Sequence, residues 1–274
     1  MPLVPVAGKF NLATLRRIVS AALWAGILAG LLLTAVQRVQ IVPILFKAEV
    51  YEEQAAEVAS ARLAEASHKA ANHAHASAAH KHEHAQAAAE PGRHDAGRHD
   101  SGHHHDADAW KPENGWERTF YTAVSNVSLA VGFALLLGAA ICFRGGVSGW
   151  RSGLLWGLAG YAVFFVAPSL GLPPDVPGTE AARLQDRQLW WLMTVLATGA
   201  GLSLLIFSRS GVGRIAGGVL LVVPHLIGAP QPHIHSSTAP LELAHAFIYA
   251  TILANAVFWL AMGGLMGLFY KKMA

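Results

Sequence analysis

The fifteen histidines in this 274-residue chain fall into two sets. Eleven lie close together: His68, His73, His75, His80, His82, His84, His94, His99, His103, His104 and His105. The other four, His225, His233, His235 and His245, fall within one short stretch, VVPHLIGAPQPHIHSSTAPLELAH, which also holds Glu242. Neutral imidazole is a ligand for cobalt, nickel, zinc and copper, and its unperturbed pKa of about 6.5 leaves it largely neutral near pH 7. The chemistry these residues offer is therefore capture of a divalent transition metal, with Co2+ the leading candidate and Ni2+ or Zn2+ the others.

The two sets are suited to different tasks. The first tract passes from an Ala/Glu/His-rich stretch into a Gly/Asp/Arg/His-rich one with almost no apolar residue. Such a segment cannot bury a core and is expected to be disordered between 91 and 108. On a helix His80 and His84 would stand one turn apart, whereas His73 and His75 would share a side only in an extended chain. A flexible tract offers many interchangeable sites. Selectivity among these metals comes from geometry and ligand type, so the tract suits collection better than choice.

The second set lies where polar groups are costly. Pro224 removes a backbone hydrogen bond inside an apolar run, and His225 follows it. Pro230 and Pro232 end the helix, His233 and His235 fall in a short loop, and Pro240 suits the first position of the next helix. Glu242 and His245 then stand three apart. At about 1.5 Å per residue, His225 and His245 each lie roughly 7–8 Å inside the ends of their helices, so both fall in one layer of depth. Polar groups inside a span are functional candidates by default. Other roles are open to each: Glu242 can complement a helix N-terminus, His225 can bond a carbonyl freed by the proline, and His233 and His235 can be solvated. Further oxygen and nitrogen donors along a path are Asn126, Asn255, Gln37, Gln40 and Glu49, although for the two asparagines helix-to-helix hydrogen bonding is the stronger reading.

These residues must be positioned by membrane helices. The chain is 53% hydrophobic and only 14% charged, against about a quarter charged in ordinary soluble domains. Its mean hydropathy is +0.38. The apolar residues fall in blocks at about 18–36, 120–143, 151–168, 189–207, 214–229 and 241–268. The first block is too long for a signal-peptide core and reads as a retained span. The loops between blocks test the count. Lys9, Arg16 and Arg17; Arg144 and Arg151; Arg209 and Arg214; and Lys271 and Lys272 fall in segments without any Asp or Glu. Six spans with both termini inside satisfy the positive-inside rule at every short loop; five is the alternative count. The pI of about 9.1 follows from these loops and does not point to nucleic acid.

The expected architecture is thus an all-α integral membrane protein, a bundle of six transmembrane helices with a long, His-rich, partly disordered outer loop. Its parts are residues 1–37 with the first span, an extracytoplasmic segment over 38–118 that is helical at first, and a five-helix membrane bundle over 119–274. Glycines at 145, 149, 153 and 157, and the pairs 26/30, 213/217 and 263/267, fit close helix packing. Trp110, Trp116, Trp150, Trp190 and Trp191 read as interfacial anchors. The proline-rich loop with Asp175, Glu180 and Asp186 reads as a stiff connector or a binding element. Cys142 is the sole cysteine, so neither an internal disulfide nor a thiolate cluster can form. The chain has no phosphate-binding G-x-x-x-x-G-K-[ST], no H-E-x-x-H and no G-x-S-x-G, and it reads as a non-enzyme.

Three stretches resemble the CbtA family of cobalt transporters: RRIVSAALWAGILAGLLLTAVQRVQIVPILFKAEVYE, GLAGYAVFFVAPSLGLPPDVPGTEAARLQDRQLWW and VVPHLIGAPQP. The resemblance covers over half the chain and leaves out the His-rich segment. It implies cobalt transport, five spans rather than six, and a small single-span, histidine-bearing partner of the CbtB kind. Cobalt uptake across a bacterial inner membrane is the leading expectation, with the lipid bilayer as surroundings, the His-rich loop in the periplasm, and a homo-oligomer as a further assembly. The alternatives are a metal-binding accessory or sensor component, or efflux of zinc, nickel or cobalt.

Overall fold

The computed structural model describes residues 12–78 and 112–273, with side chains placed over 12–69 and 112–273. Among these residues the chain is all helix, without a strand. In order the helices are α1 (Leu12–Gln40), α2 (Val42–Ala78), α3 (Trp116–Phe143), α4 (Trp150–Ser169), α5 (Leu184–Phe207), α6 (Gly211–Ile227) and α7 (Leu241–Lys272). The described residues fall into two compact units, 12–52 with 114–273, and 53–78 with 112–113.

Five helices, α1, α3, α4, α5 and α7, are long and apolar enough to cross a membrane. The shorter apolar helix α6 has 17 residues, at the lower end of spanning length. The apolar blocks of the sequence thus emerge as helices, and the start of the segment over 38–118 is the helix α2. A break at Ile41 separates α1 from α2. Pro43 accounts for it, because proline cannot donate to a helical carbonyl and clashes with the residue four before it. The expected disorder over 91–108 and the His80–His84 pairing lie outside the described residues.

α1 is the centre of the core. Its small face (Ala21, Ala22, Ala25 and Ala29) is fully buried against Ala130, Ala134 and Ile141 of α3 and Met262 and Met266 of α7. Close approach needs the glycines. A Cβ on Gly26 or Gly30 would sit 2.6 Å from the Cα of Val131 or Val127. Gly153 and Gly157 of α4 face Gly263 and Gly267 of α7 backbone to backbone, as the spacing predicts. Gly217 meets Gly201 where α5 and α6 cross, whereas Gly213 faces Ser208 and Ser210 at the α6 N-cap instead of a neighbouring helix, and Gly145 is open. The α1/α3, α4/α7 and α5/α6 pairs all run antiparallel, since rising numbers on one helix meet falling numbers on the other.

One turn of α4 is widened. Over Ala162–Val166 the helix is of π type, and the Ala167 N–H reaches back five residues to Ala162 O. Pro168 follows and cannot continue the ordinary ladder, which is a standard cause of such local widening. The turn carries Phe164, stacked on Trp259 of α7 at 5.3 Å and tilted against Phe133 of α3 at 5.0 Å.

The two ends of the bundle differ in charge. At one end Arg17 Nε donates to Tyr270 O (2.6 Å), Gly149 adjoins Lys271, and the Arg144 guanidinium lies 4.4 Å from the Phe207 ring. The described loops there contain no acidic residue. At the opposite end Ala48, Val176 and Ala239 form a small second core. There the 178–180 and 236–238 segments pair: Glu180 N donates to Ser236 O (3.0 Å) and Thr238 N to Gly178 O (3.1 Å). Gly178 has φ +77° and packs against Thr238, so a side chain there would be both strained and crowded. The proline-rich loop is therefore a pinned connector.

Candidate functional site

His225 lies in the last turn of α6, half-buried, with its ring 6.1 Å from that of Trp190 and at 70° to it. Trp190 Nε1 donates to Pro224 O (3.3 Å), so the indole is buried between α5 and α6. It is a local clamp on the proline turn and departs from the interfacial role expected of it; Trp116, by contrast, is 88% exposed. His233 and His235 are exposed in the loop, and Glu242 and His245 are exposed on α7.

The structure does not gather these five residues. Among the described residues no three His, Cys, Asp or Glu side chains stand close enough to hold a metal. The cause is helix pairing. α6 packs on α5, whereas α7 packs on α4 and α1. Lying near the same end of two helices does not make them neighbours. In the His-rich tract His68 is exposed, His73 and His75 fall within α2, and the remaining eight histidines lie outside the described residues.

The path candidates fare differently, because four of them reach one end of the α1–α3 pair. Asn126 Nδ2 donates to Gln37 Oε1 (2.7 Å) and to Thr34 Oγ1 (3.0 Å), tying α3 to α1. Glu49 accepts from Arg118 at 2.6 and 3.3 Å and is thereby engaged. Gln40 Oε1 is buried without a partner among the described residues. Asn255 Nδ2 donates within its own helix to Thr251 O (3.0 Å), while Thr251 Oγ1 is buried and unpartnered among the described residues. Beside this network lies a cavity of about 330 Å³, lined among others by Thr34, Gln37, Arg38, Arg118 and Thr251. Arg38, Arg118 and the threonines do not stand out in the sequence. Their only signal there is charge or hydroxyl at the ends of apolar runs. In the connector, Asp175 is exposed as a residue, yet desolvation of its carboxyl raises its pKa above the usual carboxylate value, with Arg187 pulling the other way.

The profile of the CbtA family, described as probable cobalt transporter subunit, matches residues 15–271. The chain belongs to the CbtA family. The matched range reaches every described helix, short of the first three residues of α1 and the last of α7, and it spans the His-rich segment, which the three resembling stretches leave out. No curated protein and no solved structure matches the chain. For a CbtA chain the five long apolar helices and the separation of basic from acidic loops are the expected marks of a multi-pass membrane protein.

Proposed function

We propose that this CbtA protein carries cobalt inward across the bacterial inner membrane. The observation that carries the proposal is the family match over 15–271. The family description points to cobalt rather than nickel or zinc. Six spans, counting α6, put both termini in the cytoplasm and the His-rich segment in the periplasm. That orientation agrees with the acid-free loops at the Arg17, Arg144 and Lys271 end.

In this reading the tract from His68 to His105 raises the local concentration of Co2+ outside. His225, His233, His235, Glu242 and His245 then receive the ion in a conformation that brings α6 and α7 together. A small CbtB-like partner, or a second copy of the chain, supplies further ligands. The membrane potential supplies the drive, since a divalent cation moving inward gains about 4.6 kcal/mol per 100 mV.

Proteoliposomes holding this chain alone, loaded to an inside-negative potential, test the proposal. Co2+ should accumulate. Retained binding without flux would make the chain an accessory component, and outward flux would make it an exporter. Deleting residues 68–108 should raise the half-saturating cobalt concentration and leave the maximal rate. The double change His225→Ala and His245→Ala should abolish uptake; unchanged uptake would refute this site.

A further inference from the structure

The cavity at the α1–α3 end is poorly suited to a bare metal cation. Its charged lining is Arg38 and Arg118. Glu49 pairs with Arg118, which leaves a net charge of +1, and at short range in a partly desolvated cleft that charge disfavours Co2+. Arg38 is exposed and has no hydrogen-bond partner among the described residues. Its five N–H donors are therefore available.

Other donors face the same space. Gln37 Oε1 is taken by Asn126, which leaves its Nε2 hydrogens free of any partner among the described residues. Thr251 lines the cavity, and its hydroxyl is buried and unpartnered among the described residues. Gly115, also in the lining, is the N-cap of α3 and makes no side-chain cap, so the first amides of a 28-residue helix open toward this end. A helix N-terminus favours an anion. Thr119 and Thr122 add no donor, because their hydroxyls already donate to Gly115 O and Arg118 O.

The rest of the lining is apolar: Ile41, Val42, Leu45, Phe46 and Phe247. Oxyanion donors on one side and hydrocarbon on the other match an amphiphile. In the orientation proposed above, the cavity lies at the outer end of the α1 and α3 spans, at the level where lipid headgroups meet acyl chains. Its volume, about 330 Å³, is at the lower end of ligand pockets and fits a headgroup with the start of a chain.

We propose that this cavity binds the phosphate headgroup of an anionic phospholipid, with Arg38, Gln37 and Thr251 as donors and Leu45, Phe46 and Phe247 against the acyl chain. None of the lining residues is a histidine, and only the depth of the site rests on the orientation proposed above.

The test uses the purified full-length protein, delipidated in a neutral detergent. It is titrated with dioleoylphosphatidylglycerol, dioleoylphosphatidylcholine and inorganic phosphate, and bound species are counted by native mass spectrometry. One phosphatidylglycerol should bind at least about fivefold more tightly than phosphatidylcholine. Arg38→Gln should weaken it about tenfold, the loss expected of a charge-assisted contact. Thr251→Val, which keeps the side-chain volume, should weaken it about threefold and decides the matter should Arg38→Gln fail to fold. Equal affinity for the two lipids, or unchanged affinity in both variants, overturns the proposal. Displacement of phosphatidylglycerol by inorganic phosphate also overturns it, by making the site one for a soluble oxyanion.

Discussion

Gly263→Ala is the sharpest probe of how the membrane bundle is held. A Cβ at this position would lie 2.6 Å from both Cα and N of Gly157, and 2.5 Å from Gly153 O. Ordinary contact begins near 3.4 Å, and the obstacles are backbone atoms that no rotamer change can move. α4 and α7 must therefore separate by close to 1 Å along this line. Overpacking of this kind costs about 3 kcal/mol, and the better helix propensity of alanine returns about 1 kcal/mol. The net loss is about 2 kcal/mol, or a fall of about 4–8 °C in the thermal midpoint for a chain of this size. Gly218→Ala is the matched control, with nothing within 4 Å of its Cβ, and should raise the midpoint by about 2–4 °C. Thermal unfolding of the two variants in one detergent, followed by helical circular dichroism, makes the comparison. If Gly263→Ala is as stable as Gly218→Ala, the backbone-to-backbone contact of α4 and α7 is wrong.

Asn126→Ala should cost about 0.6–1.7 kcal/mol by releasing Gln37 and Thr34, measured as the same thermal midpoint, while cobalt uptake persists. Trp190→Phe removes the hydrogen bond to Pro224 O and keeps an aromatic ring edge-on to His225, so a loss of about 1 kcal/mol is expected, and a loss above about 3 kcal/mol would mean the clamp carries more than that bond. Glu49→Gln should destabilise by about 1 kcal/mol or less, an effect that shrinks in high salt, because the pair with Arg118 is partly exposed. Gly178→Val should lower the midpoint and loosen the 178–180/236–238 pairing, read as faster proteolysis of either loop.

The helices were legible in the sequence because a membrane span needs only length and hydropathy, and both are local properties. The glycine pattern was legible as pattern: 149, 153 and 157 do pack closely, and so do 26 and 30. Their partners were not, because choosing between α3 and α7 depends on which helices lie side by side. The prolines marked where the two helices stop only approximately, since α6 ends at Ile227, two residues after His225, and they carried no information on azimuth. His225 and His245 are carried by helices with different partners. The arginine-lined cavity was hidden for a related reason. Arg38 and Arg118 stand 80 residues apart, and only the α1–α3 pairing brings them to one space. Trp190 was misplaced because interfacial and buried tryptophans both occur near span ends, and the deciding feature is a carbonyl 34 residues away.

The clasp between residues 178–180 and 236–238 has a mechanical meaning. Each of its two loops runs from the glycine-zipped α4/α7 pair to the α5/α6 hairpin, so the clasp fastens two blocks at one edge. Blocks fastened at one edge form a lever. A small rotation there displaces the far tips most, and those tips carry Phe207 under the Arg144 guanidinium. At that end the hairpin is held by ring contacts, the Arg144 guanidinium 4.4 Å from Phe207 and Trp156 of α4 6.5 Å from it, against hydrogen bonds at the clasp, so rocking of the hairpin opens the arginine-bearing end first.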